Sequence, residues 1–198
     1  MPDVHIAILL MVKNETKRLR VTLQSVLGHV QSIVAFDTGS SDDTIQILQD
    51  FSNEHNIPLR LKEGDFVDFS TSRNVSLDFA DTFEDIDYLL LLDCNDELRG
   101  GENLRKFAED NKDNPVTGFL VCQEWWSGKY DKYYNIRFVK AREGWRYRGS
   151  VHEWMKNTKY ESDDVTPPVL RIPAETLLYQ DRTQDDDKSG KRFTRDKV

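Results

Sequence analysis

The chain has 198 residues, enough for one α/β domain with a substantial core. With a formal net charge of −8, 38% hydrophobic and 31% charged residues, it is globular but polar. It lacks the basic face that non-specific nucleic-acid binding requires, so nucleic acid is excluded as a partner. No run approaches the roughly eighteen apolar residues of a transmembrane segment. Residues 1–12 are apolar but contain Asp3 and His5 and lack a basic leading region, so they do not read as a signal peptide. The two cysteines, Cys94 and Cys122, make no CxxC pair and are too few for a disulfide framework. The expected compartment is reducing and cytoplasmic, with peripheral membrane attachment left open.

Residues 4–12 (VHIAILLMV) predict a first buried strand that ends in Lys13-Asn14-Glu15. From Thr16 the apolar positions Leu19, Leu23, Val26, Leu27 and Val30 fall at helical spacing, with Gly28 as a candidate C-cap. Residues 32–36 predict a second strand, which runs into Asp37-Thr38-Gly39-Ser40-Ser41-Asp42-Asp43-Thr44. Ser40 with Asp43 three residues on resembles a helix N-cap, and the helix carries Ile45, Leu48 and Phe51 on one face. Asp42 and Asp43 fill the positive end of that helix, and the turn has neither a G-x-G-x-x-G nor a P-loop lysine. A phosphate is therefore not expected there; if Asp37 meets a nucleotide, its partner is the base or ribose.

Residues 59–62 predict a short third strand, and Phe66 and Phe69 flank a turn. Residues 70–80 predict a helix with Val75, Phe79 and Ala80 inward and Arg73-Asn74 near its start. Leu89, Leu90, Leu91 and Leu92 then form an apolar run with no polar face, as a strand covered on both sides needs. The run stops in Asp93-Cys94-Asn95-Asp96-Glu97. The first hundred residues read βαβαβαβ, which implies a parallel, doubly wound sheet. Such sheets bind ligands beyond the carboxyl ends of their strands, where Asp93 stands. Hard carboxylate oxygens suit Mg2+ or Mn2+ with a phosphate completing the shell. The plain alternative is a solvated acidic turn after a core strand.

After Glu97 a polar helix is predicted over 102–110, and strands over 118–122 and 134–139. Tyr134, Ile136 and Phe138 alternate, so the second of these is expected to pair antiparallel. Residues 123–130 form an aromatic loop, and Thr166-Pro167-Pro168 and Pro173 mark turns. Residues 181–198 are charged and nearly without apolar side chains. The expected organisation is a domain over 1–180 and a charged tail over 181–198 that begins a continuing helical region.

Four stretches, in this order, carry a resemblance: Met11-Val12-Lys13-Asn14-Glu15, residues 37–44, Asp68-Phe69-Ser70-Thr71-Ser72-Arg73-Asn74, and Leu92-Asp93-Cys94-Asn95-Asp96-Glu97-Leu98. From about Ile6 to His152 the chain resembles the nucleotide-sugar-dependent family-2 glycosyltransferases of the GT-A fold. The subgroup it looks most like often continues into tetratricopeptide-type repeats, which suits the charged tail. The resemblance implies a Rossmann-like mixed α/β sheet, parallel in its N-terminal part and flanked by helices. It also implies transfer of a sugar from a nucleotide-sugar, with a UDP-sugar expected, to an acceptor hydroxyl. Inverting direct displacement with Mn2+ or Mg2+ on the diphosphate is the implied chemistry. The acceptor is a glycan, a protein side chain or a lipid-linked sugar.

The same resemblance implies roles for single residues. Asn14 and Glu15 line the uracil side, Asp37 meets the base or ribose, and Arg73 approaches the base or the diphosphate. Asp93 and Asp96 hold the metal, and His152, in Gly149-Ser150-Val151-His152-Glu153, adds a third contact. The usual D-x-D is here Asp93-x-x-Asp96, with Asn95 where the second acid often falls. Asp93 then binds the metal alone, through water or together with Asp96. Inversion needs one general base on the acceptor hydroxyl. Glu153 and Glu124 are the candidates, Glu153 being preferred because it adjoins His152; the plain alternative for either is a salt bridge to a nearby arginine. Trp125, Trp126, Trp145 and Trp154 are either sugar platforms or core anchors, with anchoring expected for at least half. Cys94 reads as a packing residue. Two other readings compete. A sugar nucleotidyltransferase ranks low, because no glycine-rich loop follows the first strand. A domain that binds nucleotide or glycan without turnover is the other.

Overall fold

A computed structural model describes residues 4–126, 132–150, 152–160 and 165–181. The chain alternates at first: β1 (Ile6–Val12), α1 (Leu19–Val26), β2 (Ser32–Asp37), α2 (Thr44–His55), β3 (Leu59–Glu63), α3 (Phe69–Ala80) and β4 (Tyr88–Leu92). It continues through β5 (Asp96–Arg99), α4 (Gly101–Asp110), β6 (Gly118–Trp125), β7 (Lys132–Lys140), β8 (Trp145–Arg148), β9 (Trp154–Asn157), β10 (Val169–Arg171) and β11 (Leu177–Gln180). The main sheet runs β3-β2-β1-β4-β7-β6-β11-β5, with β10 also on β6. The strands β3, β2, β1 and β4 are parallel, as the alternation of strands and helices predicts. The strand β7 runs antiparallel to both β4 and β6, so the sheet is mixed.

The leucine run of β4 feeds two cores at once. Successive side chains of a strand face opposite sides. Leu90 and Leu92 join Ile8, Leu10, Leu19, Leu23, Leu48 and Phe51 beneath α1 and α2. Leu89 and Leu91 join Leu9, Val34, Leu77 and Ala80 under α3, together with Trp145 of β8. No polar face remains because both faces are covered. On the first face Tyr88 stacks on Phe138 with ring centroids 4.9 Å apart, and its hydroxyl donates to the Ala108 carbonyl at 3.0 Å.

A separate hairpin, β8 with β9, packs on α3. Asn74 holds it there by two backbone bonds: its amide donates to the Tyr147 carbonyl at 3.0 Å, and its carbonyl accepts the Tyr147 N–H at 2.7 Å. Trp145 seats the other end of β8. Its indole N–H donates to Thr117 at 3.0 Å, and its ring lies where a Cβ on Gly118 would come within 2.2 Å.

Two stretches differ from the sequence expectation. α2 begins at Thr44 with Asp43 in the N-cap position and no side-chain cap; Ser40 lies in the preceding turn. Its hydroxyl serves Asp37 and the Asn14 N–H instead, because two strand-end loops converge on it. Residues 96–99, over which no element is predicted, form β5, which pairs antiparallel with β11. β11 brings no strand signal of its own until β6 and β5 stand on either side of it. Among the described residues no helix is long and apolar enough to cross a membrane. Residues 182–198 of the charged tail lie outside the described residues, as do residues 127–131 of the aromatic loop and residue 151. Asp181 is tied into the domain, accepting from Arg18 at 2.5 Å and donating its N–H to the Asn95 carbonyl at 3.1 Å.

Candidate active site

The carboxyl ends of β1, β2 and β4 lie side by side, so their three loops meet at one edge. The first two loops are locked together. Asn14 takes a left-handed conformation (φ 55°), which asparagine tolerates better than most residues. That conformation lets its N–H reach Ser40 at 3.0 Å and its side-chain oxygen accept the Ser41 N–H at 2.8 Å. The Glu15 N–H donates to Thr44 at 2.7 Å. Asp37 is buried, and its carboxylate accepts the Gly39 and Ser40 N–H groups at 2.9 and 2.8 Å. Asp42 takes the Thr44 N–H at 3.0 Å, so the start of α2 is already occupied by an acid and does not offer an anion site.

The third loop carries the acidic pair, and the two carboxylates do different things. Asp96 has no exposed surface. One of its oxygens accepts the Asp93 N–H at 2.9 Å and the other accepts the Gln180 amide at 2.8 Å. Gln180 is held in turn by the Tyr133 hydroxyl at 2.9 Å. Burial raises the Asp96 carboxyl, Arg137 opposes this and Asp93 adds to it, with the result pushed up to about 6. Asp93 instead faces two guanidiniums. Arg73, from α3, donates to one oxygen at 2.6 Å, and Arg137, from β7, donates to the other at 3.0 Å. Burial alone would raise Asp93, but the two arginines outweigh it and hold the carboxyl well below the usual carboxylate range.

Arg73 continues the network outward. Its Nε donates to Glu153 at 3.1 Å, and its guanidinium lies 5.2 Å from the centroid of the Tyr147 ring. Arg73, Arg137, Tyr147, Glu153, Asn135 and Trp154 share the wall of a cavity of about 240 Å³ between the sheet and the β8–β9 hairpin. The structure therefore brings Arg73, Asp93 and Glu153 together from three distant parts of the sequence. It does not bring Glu124 to them. Glu124 sits on β6 and pairs with Lys132 at 2.9 Å, and it does not line the cavity. His152 is exposed, in a left-handed conformation (φ 56°), next to Glu153. Of the tryptophans, Trp145 is core and Trp125 packs its ring against Tyr133 at 6.4 Å. Trp126 and Trp154 are exposed, and Trp154 borders the cavity. The Cys94 thiol is buried and pushed up by that burial, as a packing residue should be.

Arg137 escaped the sequence reading. In sequence Arg137 interrupts the apolar alternation Tyr134, Ile136, Phe138. In the structure it is the extra residue of an irregularity in the β6–β7 pairing, with Phe138 turned to the core beneath α1 and α2 and Ile136 to the core under α3. A guanidinium in that position has to find a carboxylate or a ligand. That signal was present, but its partner lies 44 residues away in sequence.

The donor set bears on a divalent cation. Among the described residues no three His, Cys, Asp or Glu side chains group as metal ligands. Asp93, Asp96 and His152 thus do not form a cage. Asp93 is partly open, and a carboxylate has about four lone-pair positions, of which two are used here. One carboxylate plus substrate phosphates and waters is an ordinary arrangement for Mg2+. The residues fit a cation that arrives with a diphosphate, and do not fit one held by protein alone.

A mixed sheet, parallel at its N-terminal part and flanked by helices, with an acidic motif at the end of β4, defines a GT-A-type, Rossmann-like domain of the glycosyltransferase class. The chain belongs to glycosyl transferase family 2, whose family model matches residues 7–178. A search of curated proteins finds no match. Among solved structures, S. aureus TarS 1–349 is similar at a TM-score of 0.52 and 20% identity, covering 65% of this chain and 38% of that one. The same protein in complex with UDP-GlcNAc gives 0.52 and 20%, covering 65% and 37%. The mannosyltransferase PcManGT from Pyrobaculum calidifontis, in complex with GDP-Man and Mn2+, gives 0.51 and 14%, covering 62% and 37%. The chain thus spans well under half the length of the proteins it matches.

Proposed function

We propose that this domain transfers a sugar from a UDP-sugar to an acceptor hydroxyl with inversion, acting in the cytoplasm, free or attached peripherally to a membrane. The observation that carries the reading is the linked Asp93–Arg73–Glu153 array, in which Asp93 follows β4 and Arg73 and Glu153 line the cavity. The neighbouring TarS complex with UDP-GlcNAc supports a nucleotide-sugar donor. Two buried free thiols are consistent with a reducing compartment.

In this reading the Asn14–Glu15 and Asp37 loops receive the base and ribose. The rigid bonding between those loops presets that wall, so little ordering is lost on binding. Arg73 faces the diphosphate. Asp93 is the one carboxylate placed to hold Mn2+ or Mg2+ together with that diphosphate, and Asp96 fixes Asp93 from behind. When bound, the cation neutralises charge on the leaving diphosphate. Glu153 acts as general base: it takes the proton of the acceptor hydroxyl as that oxygen bonds to the anomeric carbon. The bond from that carbon to the β-phosphate oxygen breaks, and its electron pair leaves with the nucleoside diphosphate. Arg73 orients Glu153 through Nε, which leaves the second carboxylate oxygen for the acceptor. The acceptor is a glycan, a protein side chain or a lipid-linked sugar.

A second reading has one observation in its favour. Asp96 is fully enclosed, so of the Asp93–Asp96 pair only Asp93 is open, as a domain that binds without turnover would tolerate. Calorimetric titration of UDP with and without Mn2+, followed by release of UDP from a panel of UDP-sugars, separates the two. Mn2+-dependent binding with UDP release from one sugar is the expected result. Binding that ignores Mn2+ with no release from any sugar would leave the binding module.

A further inference from the structure

Arg137 has a donor that no described residue meets. Its Nη2 reaches Asp93, but Nη1 is buried without a hydrogen-bond partner among the described residues, with the Asp96 carboxylate 4.0 Å away. A buried N–H left unmet costs stability, and such a group inside a site points to an absent ligand atom. The guanidinium lines the cavity of about 240 Å³ together with Arg73. Burial, at 12% and 13% side-chain exposure, keeps both arginines out of bulk water.

The way they hold Asp93 matters. Each arginine gives one N–H to a different oxygen of the same carboxylate, at 2.6 and 3.0 Å. Two planar forks converging on one planar anion is the arrangement that also grips phosphate oxygens. We propose that Arg137, with Arg73, binds the diphosphate of the donor and of the departing nucleotide, and that the Asp93 carboxylate holds their place while no donor is bound. The inference rests on the nucleotide-sugar reading above and adds a residue that reading does not use. On donor entry the phosphate oxygens take over the guanidinium bonds, including the unmet Nη1. Asp93 is then free of its two arginines and available to a cation. Cation and donor thus bind together because each removes the other's competitor.

The test uses calorimetry on the whole chain with UDP, GDP, CDP and ADP, and with the matching monophosphates, in EDTA and in Mn2+. For the diphosphate that the wild type binds best, Arg137→Gln is expected to lose roughly tenfold or more in affinity, the loss of one or two charge-assisted bonds. Its affinity for the monophosphate should stay within about twofold, since the base and ribose contacts remain. Asp93→Asn in EDTA should bind the diphosphate more tightly than wild type, because the competing anion is gone. Equal losses for diphosphate and monophosphate in Arg137→Gln would make Arg137 a structural residue and overturn the proposal, as would no loss at all. If Arg137→Gln fails to melt cooperatively, Arg137→Lys decides, since it keeps the charge and loses the fork; its diphosphate preference should fall and its fold should not. A wild type that binds none of the diphosphates overturns the nucleotide-sugar reading itself, which is a different result from a failure at Arg137.

Discussion

Asp93 and Asp96 are three residues apart in sequence, yet one reaches two guanidiniums at the cavity edge and the other is sealed beneath it. Their substitutions should therefore fail differently. Asp93→Ala removes the open carboxylate, and the expected outcome is UDP binding that no longer responds to Mn2+; an unchanged Mn2+ response would sink the assignment. Asp96→Ala strands the Asp93 N–H and the Gln180 amide, each a buried donor. It should cost about 2–4 kcal/mol of stability, read from denaturant unfolding, and should weaken donor binding without abolishing it. Glu153→Gln keeps the size of the side chain and removes its basicity. Its kcat should fall by about 100-fold or more while UDP affinity holds, as loss of a general base demands. If kcat is unchanged and UDP affinity falls instead, Glu153 is only the partner of Arg73.

Among the elements, the β8–β9 hairpin is the piece that gives the cavity its outer wall. Glu153 precedes β9 and Tyr147 lies on β8, so the position of both depends on how the hairpin sits on α3. Asn74 supplies two bonds to the Tyr147 backbone at that contact. In sequence Asn74 is only the neighbour of Arg73; in the fold it is a bracket. Asn74→Ala should destabilise the chain by about 1–3 kcal/mol and raise KM for the acceptor more than that for the donor, since Asn74 seats the hairpin beside Glu153, the proposed base on the acceptor. Equal changes in both KM values would mean that the hairpin does not shape the acceptor side.

For the whole molecule, acid stability has a named contributor. His5, at the start of β1, is half-buried, with Nε2 at 2.8 Å from the Ser32 hydroxyl. Burial lowers its pKa, and the nearby acid Asp85 only partly offsets that. The folded chain then binds fewer protons at His5 than the unfolded chain, so stability rises with pH through the histidine range and falls as pH drops below about 6.5. The melting temperature should decline between about pH 7 and pH 5, and His5→Gln should flatten that slope. An unaltered slope in the variant would place the acid sensitivity elsewhere.

The alternation of β1, α1, β2, α2, β3, α3 and β4 was legible in the sequence because each element buries its own apolar face, and burial leaves a period that needs no partner to be seen. The same held for the place of Asp93, since a residue that directly follows β4 stands at the carboxyl end of the parallel strands. The role of Asp96 was not legible. A carboxylate four residues past a strand reads as solvent-facing until β11 returns and places Gln180 against it. Arg137 was hidden for the same reason: the charge on β7 is explained only by an antiparallel pairing with β4 that carries it to Asp93. Sequence by itself determined the alternating elements as far as β4, the family and the place of Asp93 at the end of β4, because these follow from local burial and order along the chain. Only the tertiary structure decided which carboxylate is open, which is sealed and which two arginines converge on the site, because those depend on contacts between segments whose sequence separation carries no local signal.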